Sequence, residues 1–486
     1  MIIEVRSRAP MGALLMAAGL TVVAPGGRPV EAQAPVPTMV DPNLAVRRAA
    51  SGLSQPVNLA FLGADDMLVL EKGSGRVQRV VNAGAPTTVL DLAVNSASER
   101  GLLGIALHPG FPANSGVYLF WTESLSGADS TSLADVPLLG NRVDRFVWDG
   151  STLTWERNLI RLRAFQADAG QPLCGNHDGG VLRFGPDGKL YVQMGDNGRR
   201  GQMQNLEHGP FGPGIPDDQF GGPEPDNAHL TGVILRLNDD GTAPMDNPFF
   251  GHGADVGGEV GANIQQLFAY GIRNGFGMAF DPVSGDLWEQ ENGDDSFSEL
   301  NRVEPGMNSG WVQIMGPVDR IHEYKGIETS PQFFGLQQIR WPPTNIADTP
   351  EEALARLFML PGAVYRDPQF SWKFEVAPAG IGFVQGRGLG PQFENDLFMG
   401  GARTTLRGGH LFHFNLTGNR RKIGVDDPRL EDRVADNLAK FDITESEDLL
   451  IGENFGIATD IQTAPNGNLF VVSLSNGAIY EIFRRR

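Results

Sequence analysis

The 486-residue sequence is poor in cysteine, and Cys174 is the only one. A single cysteine cannot form an internal disulfide, so a large apolar core must hold the fold without cross-links. Long apolar runs are also scarce, and no segment after the N-terminal region is long enough to cross a bilayer as a helix. Lys and Arg number 39 against 58 Asp and Glu, a net charge of −19. This acidic balance argues against nucleic acid as a partner, because phosphates require basic patches.

The N-terminal segment has the pattern of a secretory signal peptide. Arg6 and Arg8 precede an apolar run over residues 11–24 that is too short to span a membrane. Small residues follow, and cleavage is equally plausible after Ala32 and after Ala34. We therefore expect residues 1–34 to be a signal peptide and the mature protein to be periplasmic or secreted.

Glycine and proline are abundant, with 63 and 33 residues, and they punctuate a recurring unit of strand, tight turn and strand. The turns are rich in Asp-Gly and Asn-Gly pairs, which favour short hairpins, and the flanking residues suit a pleated sheet. The unit occurs six times, beginning at Asn58, Ile105, Val181, Met278, Ile381 and Ile461. Six units predict an all-β fold, a six-bladed β-propeller over residues 45–486 with long inter-strand loops. The two longest loop candidates are residues 199–229 and 311–360.

Two of the units are preceded by polar side chains that could carry chemistry. His177 lies ahead of the third unit and is followed by Gly179 and Gly180, which permit close approach to a ligand. It is either a general base or a loop histidine that caps a strand. Arg273 and Asn274 occupy the same place ahead of the fourth unit, where an arginine suits a carboxylate or a developing oxyanion, or a structural ion pair.

Four stretches resemble the glucose/sorbosone dehydrogenase family: "ERGLLGIALHPGF", "NHDGGVLRFGPDGKLYVQMGDNG", "YGIRNGFGMAFDPVSGDLWEQENG" and "SELNRVEPGMNSGW". The family comprises soluble, calcium-requiring aldose dehydrogenases that use pyrroloquinoline quinone (PQQ) and fold as six-bladed propellers. The resemblance implies that His177 takes the proton of the sugar's anomeric hydroxyl, with Arg273 as its catalytic partner and Asn274 beside the quinone. It also implies a calcium ion held partly by backbone carbonyls of the Gly293-Asp294 step, to which the side chain of Asp294 or Asp295 could add oxygen ligands.

The sequence departs from the family at the positions that bind the carboxylates of PQQ. Ile457 and Thr459 stand where the family's PQQ users have an Arg-x-Arg pair, and Glu99 replaces a glutamine. Arg403 is the predicted counterpart of a cofactor-binding lysine, with Arg407 as the second choice. Since PQQ carries three carboxylates, loss of two arginines and gain of Glu99 weaken its predicted site.

These features predict an exported PQQ-dependent oxidoreductase that oxidises an aldose or related sugar or polyol and passes electrons to a soluble acceptor. The alternative is a non-catalytic propeller that binds a carbohydrate or a protein and has lost tight PQQ binding. A third hypothesis is a calcium-dependent propeller hydrolase, although the sequence shows no ring of acidic residues from every unit.

Overall fold

A computed structural model describes residues 36–166, 175–199, 201–206, 229–336 and 341–485. The predicted signal peptide, Cys174 and most of the predicted 199–229 loop lie outside these residues. No helix within them is long and apolar enough to span a membrane.

Strands dominate the described chain. The first fifteen in chain order are β1 (Thr38–Met39), β2 (Leu44–Ser51), β3 (Pro56–Gly63), β4 (Asp66–Glu71), β5 (Arg76–Val81), β6 (Thr87–Asp91), β7 (Leu102–Leu107), β8 (Gly116–Thr122), β9 (Asn141–Trp148), β10 (Leu153–Leu162), β11 (Leu182–Phe184), β12 (Leu190–Met194), β13 (Val233–Leu237), β14 (Leu267–Tyr270) and β15 (Gly277–Phe280). The others are β16 (Leu287–Glu291), β17 (Ser296–Val303), β18 (Met307–Asn308), β19 (Val364–Tyr365), β20 (Phe370–Phe374), β21 (Pro378–Phe383), β22 (Leu397–Gly401), β23 (Leu411–Phe414), β24 (Leu416–Thr417), β25 (Lys422–Ile423), β26 (Val434–Ala435), β27 (Leu450–Glu453), β28 (Ala458–Thr463), β29 (Leu469–Ser473) and β30 (Ala478–Arg484). The α-helices are α1 (Phe250–Val256), α2 (Gly258–Gln266), α3 (Ile321–Glu328) and α4 (Pro350–Ala355).

The strands of the described residues form six sheets of four to six strands and one two-stranded hairpin, β24–β25. The first sheet contains β3 to β6 and the second β7 to β10. The third joins β11 to β14 with β18 and β19, and the fourth joins β15 to β17 with β20 and β26. The fifth joins β21 to β23 with β27 and β1. The sixth contains β28 to β30 and is completed by β2 from the other end of the chain.

The sheets form a closed ring. The first strands of successive sheets contact one another in the order β3, β7, β11, β15, β21, β28 and back to β3. A separate apolar core fills the space between each neighbouring pair of sheets. Closure of the last sheet by the N-terminal strand β2 ties both ends of the described chain into the ring. This arrangement confirms the all-β propeller that the sequence predicts.

Each predicted strand-turn-strand unit supplies the first two strands of one sheet, and the two strands pair antiparallel in all six. The N-terminal ends of the first strands all point to one face of the ring. The segments that contain His177 and Arg273 lead into β11 and β15 on that face.

The predicted 311–360 loop is not a plain loop. It contains α3, α4 and short 3-10 turns, packed into a core with Trp311, Tyr324 and Trp341. This core lies beside the fourth sheet and brings the end of α3 against the loop between β16 and β17.

Candidate functional site

His177 enters the ring in a restricted backbone conformation. Its φ is +59° and only 3 % of its surface is exposed. The glycines that follow are required by crowding: a Cβ on Gly179 would lie 2.8 Å from the Gln193 carbonyl oxygen, and one on Gly180 would lie 2.7 Å from Leu103 Cβ. The glycine-rich sequence therefore lets the chain pass between two strands and fixes the direction of the imidazole.

A buried carboxylate orients that imidazole. His177 Nδ1 lies 2.7 Å from Asp196 Oδ1, and the other oxygen, Oδ2, accepts a 2.7 Å hydrogen bond from Trp311 Nε1. The Gly198 amide also donates to Oδ1, at 2.7 Å. Because Asp196 is an acceptor, the proton on Nδ1 is fixed and Nε2 is left with its lone pair. The arrangement suits transfer of a proton to Nε2.

Arg273 lies on the other side of Trp311 and is also buried. Its guanidinium carbon is 5.3 Å from the centroid of the Trp311 ring. Nη2 pairs with Asp294 Oδ1 at 2.6 Å, and Nη1 donates to the carbonyls of Asn292 and Gly293 at 2.9 and 2.8 Å. Burial would lower the pKa of Arg273, but nearby carboxylates, Asp294 first, outweigh it and raise the pKa.

The structure brings His177 and Arg273 close together through Asp196 and Trp311. The Asp196 amide donates to the Arg273 carbonyl at 2.9 Å, so the turn after β12 that contacts His177 is bonded directly to the segment before β15. Asn274 is buried beside Arg273, and its Oδ1 has no hydrogen-bond partner in the described part of the chain. Arg273 Nε and Asp178 Oδ2 also have no hydrogen-bond partner among the described residues. Buried polar atoms without a hydrogen-bond partner are uncommon in a protein interior and are typical of a binding site.

Glu99 contacts the histidine segment. Its Oε2 accepts the His177 amide at 2.5 Å. Asp178 is fully buried next to it, and burial, opposed by Arg100 and by the amide of Asn141, raises the pKa of Asp178 to about 7. Burial also lowers the pKa of Lys72 to about 8 despite Glu99 and Asp178 nearby. The predicted role of Glu99 at a cofactor stays a prediction; in the structure Glu99 holds the backbone of His177.

The predicted calcium loop is a cluster of acids. Asp294 and Asp295 meet Glu328 at the end of α3, and one carboxylate oxygen from each lies within 4.8 Å of the others. All three residues are buried, and burial, together with the charge of Asp294, raises the pKa of Glu328 to about 8. The Gly293 carbonyl, expected to bind calcium, accepts from Arg273 instead. Carboxylate oxygens are what calcium prefers, so the loop fits the ion through its side chains.

Lys440 is the second cation of this cluster. Its Nζ contacts Asp295 Oδ1 at 2.6 Å, Glu375 Oε2 at 2.9 Å and the Asp294 carbonyl at 3.1 Å. Burial would lower the pKa of Lys440, but Glu375 and Asp295 raise it overall. The predicted cofactor cation Arg403 lies outside the cluster: it is exposed, with its guanidinium carbon 5.4 Å from the centroid of Phe441.

Behind Arg273 lies a chain of three buried carboxyls on β16 and β17. Asn301 donates to both Glu289 and Glu299 at 2.9 Å, and Glu291 Oε1 accepts the Arg273 amide. Burial raises the pKa of all three carboxyls, to about 8 for Glu289 and about 7 for Glu299. The raised pKa values favour the neutral carboxyls and so lower the charge of this core, and Glu291 holds the backbone that presents the guanidinium.

The site fits a polar ligand better than it fits the carboxylates of PQQ. Arg273 Nε and Asn274 Oδ1 are buried polar atoms whose hydrogen-bonding capacity is not used by the described residues. The side chains at the positions of the family's Arg-x-Arg pair are those of Ile457 and Thr459, and Lys440 is engaged by acids. A surface cavity of about 360 Å³ lies at the C-terminal ends of β3, β21 and β28, and none of these residues lines it.

Sequence reasoning missed Asp196, Trp311, Glu328 and Lys440. Asp196 stands in "GDNG", which has the composition of a hairpin turn, and its distance from His177 gives no hint of contact. Trp311 is the last residue of the stretch "SELNRVEPGMNSGW", which resembles the family, and this position could have identified it as a site residue. Glu328 and Lys440 come from segments without a recognisable pattern.

The chain belongs to the glucose/sorbosone dehydrogenase family, whose model matches residues 53–334. Quinoprotein glucose dehydrogenase B of Acinetobacter calcoaceticus is 30 % identical over 279 residues, which cover 55 % of this chain and 52 % of that protein. Aldose sugar dehydrogenase YliI of Escherichia coli strain K12 is 25 % identical over 439 residues, 89 % of this chain and 91 % of that protein.

A solved structure extends the likeness in fold to nearly the whole chain. The PQQ-bound form of an aldose sugar dehydrogenase from Streptomyces coelicolor superposes with a TM-score of 0.56 and 24 % identity, over 91 % of this chain and 98 % of that one. At this identity the structure supports the shared propeller fold.

Proposed function

We propose that the protein is an exported quinoprotein-type oxidoreductase that oxidises an aldose or a related sugar or polyol. The observation that carries the proposal is the His177–Asp196 pair, buried beside Arg273 in the ring of sheets. Membership of the family supports it, as do the names of the relatives from Acinetobacter and Escherichia. Each of the six sheets is taken as one blade of a six-bladed propeller.

The proposed chemistry begins with proton abstraction. Asp196 holds His177 in the tautomer with Nδ1 protonated, so that Nε2 accepts the proton of a sugar hydroxyl. The imidazolium that forms is stabilised by the Asp196 carboxylate, which Trp311 and the Gly198 amide keep in place. The chain thus supplies an oriented base, and two hydrogen bonds hold the Asp196 carboxylate beside it.

Arg273 and Asn274 position the reactants. Asp294 and two backbone carbonyls hold the guanidinium, and its Nε and the Asn274 oxygen remain for a bound molecule. PQQ, when bound, supplies a two-electron acceptor for the hydride that leaves the sugar carbon, and calcium supplies a Lewis acid. Residues 293–295 are the proposed calcium loop, and a soluble carrier is the proposed electron acceptor.

The second candidate function is a binding propeller without turnover. It is favoured by Ile457 and Thr459, which provide no cation where the family's PQQ users have two arginines. Charge-assisted hydrogen bonds contribute about 1.5–3 kcal/mol each, so two missing ones weaken binding of a tricarboxylate by orders of magnitude. Such a protein would recognise a carbohydrate or a protein surface.

Reconstitution decides between the two candidates. The purified protein is mixed with PQQ and calcium, its absorption spectrum is recorded, and sugars and a redox dye are then added. A shifted quinone spectrum and sugar-dependent dye reduction are expected. Absence of both contradicts the oxidoreductase, whereas sugar binding by calorimetry without dye reduction favours the binding propeller.

A further inference from the structure

The acidic cluster draws its members from separate parts of the chain. Asp294 and Asp295 lie in the loop between β16 and β17, whereas Glu328 is the last residue of α3 in the 311–360 insertion. One oxygen of each carboxylate lies within 4.8 Å of the others. Two ligands at about 2.4 Å from a calcium ion are at most about 4.8 Å apart, so this spacing fits oxygens that share one ion.

Glu328 is only half satisfied by the protein. Its Oε1 accepts the Ser296 hydroxyl at 2.6 Å and the amides of Ser296 and Asp295 at 3.1 and 3.2 Å. Its Oε2 is buried and has no hydrogen-bond partner among the described residues. A buried carboxylate oxygen without a partner is costly, and a negative charge at a helix C-terminus is unfavourable as well. Both costs are removed when a cation lies against Oε2.

The charge balance among the described residues points the same way. The carboxylates of Asp294, Asp295, Glu328 and Glu375 face two cations, Arg273 and Lys440. If all are ionised, two negative charges remain in a buried volume. A divalent cation bound among these carboxylates neutralises both charges.

We infer that Asp294, Asp295 and Glu328 form a three-carboxylate site for a divalent cation, with Glu328 as the ligand that joins α3 to the loop beneath Arg273. The inference deepens the proposed function, on which the assignment of calcium rests. It differs from the calcium site that the sequence predicts, because the Glu328 carboxylate joins Asp294 and Asp295, and the Gly293 carbonyl accepts a hydrogen bond from Arg273. The ion thereby fixes the loop that holds the guanidinium.

Calcium binding tests the site without quinone, sugar or turnover. The mature protein is freed of metal with EGTA and titrated with calcium by calorimetry, and its melting temperature is recorded with and without the ion. One equivalent of calcium is expected to bind and to raise the melting temperature. Glu328→Gln, which keeps an acceptor for Ser296 but loses the charge, is expected to weaken calcium binding at least tenfold.

Glu323→Gln provides the matched control on the same helix, because Glu323 pairs with Arg320 and Lys373 outside the cluster. Its calcium affinity is expected within twofold of the parent. Asp295→Asn repeats the test if Glu328→Gln does not fold. Parent protein that binds no calcium, or a foldable variant that binds it unchanged, overturns the site. Calcium binding without dye reduction leaves the site intact and refutes only the oxidoreductase.

Discussion

The two sides of the site differ in how completely the protein satisfies their charges. On the His177 side the Asp196 carboxylate, which contacts the imidazole, has both oxygens hydrogen-bonded. On the Arg273 side four carboxylates surround two cations, and Glu328 Oε2 is unpartnered within the described residues. The first side is suited to move one proton, and the second to hold a charged ligand.

Replacement of the base has the largest expected effect. His177→Gln should lower kcat for sugar oxidation by about 10²–10⁴-fold, because general-base catalysis contributes that much. The measurement is dye reduction with PQQ and calcium present. His413→Gln is the control, since His413 also pairs with an aspartate, Asp396, at 2.9 Å but lies on the fifth sheet away from the site. Retention of more than a tenth of kcat by a folded His177→Gln protein would exclude His177 as the base.

Asp178 should make stability depend on pH. Its folded pKa of about 7 lies above the unfolded value of 3.8, so the folded state keeps a proton that the unfolded state releases. The free energy of unfolding should therefore fall as pH rises from about 4 to about 7, and level off above that. Asp178→Asn removes this contribution, by up to about 1.4 kcal/mol per pH unit for one proton.

The readout is denaturant unfolding at several pH values for the parent and the variant. Asp65→Asn, at an exposed carboxylate, is the control and should follow the parent curve. If the free energy of unfolding of Asp178→Asn depends on pH in the same way as that of the parent, the Asp178 carboxylate is not protonated in the folded state.

The strand pairs beneath these residues could be predicted from sequence, for a local reason. Turn residues and alternating apolar residues lie within one short stretch, as in the unit from Val181 that becomes β11 and β12. The entry positions of His177 and Arg273 followed from the same units, because the first strands share one direction. Their roles stay predictions.

The charged partners could not be predicted, because they depend on contacts between segments distant in the chain. Asp196 and Trp311 are 115 positions apart and meet through a hydrogen bond of 2.7 Å. Glu328 reaches its loop only because the 311–360 insertion folds into helices, whereas the sequence suggested a loop. No pattern in the sequence therefore indicated that the Glu328 carboxylate lies beside Asp294 and Asp295.

Trp311 contacts Asp196 on one side and Arg273 on the other, and its replacement by Phe removes the N–H that donates to Asp196. Trp311→Phe leaves Asp196 Oδ2 buried without its donor, which should lower the free energy of unfolding by about 1–3 kcal/mol and lower kcat as well. Trp288→Phe is the control, because Trp288 is equally buried and its Nε1 has no partner among the described residues. The difference between the two variants isolates the hydrogen bond from the loss of ring volume. Equal losses would mean that the N–H does not support the aspartate.

The smallest effect is expected at Arg403, the predicted cofactor cation that lies outside both sides of the site. Arg403→Ala should lower the free energy of unfolding by no more than about 1 kcal/mol, the usual size of an exposed cation–π contact such as that with Phe441. Because solvent screens exposed charges, PQQ affinity measured by absorption titration should change less than about threefold. Arg407→Ala is the control, since Arg407 is also exposed, with Glu453 3.8 Å away. A tenfold loss of PQQ affinity in Arg403→Ala, without the same loss in Arg407→Ala, would identify Arg403 as a cofactor ligand. Part of the charge that binds the cofactor would then lie on the protein surface.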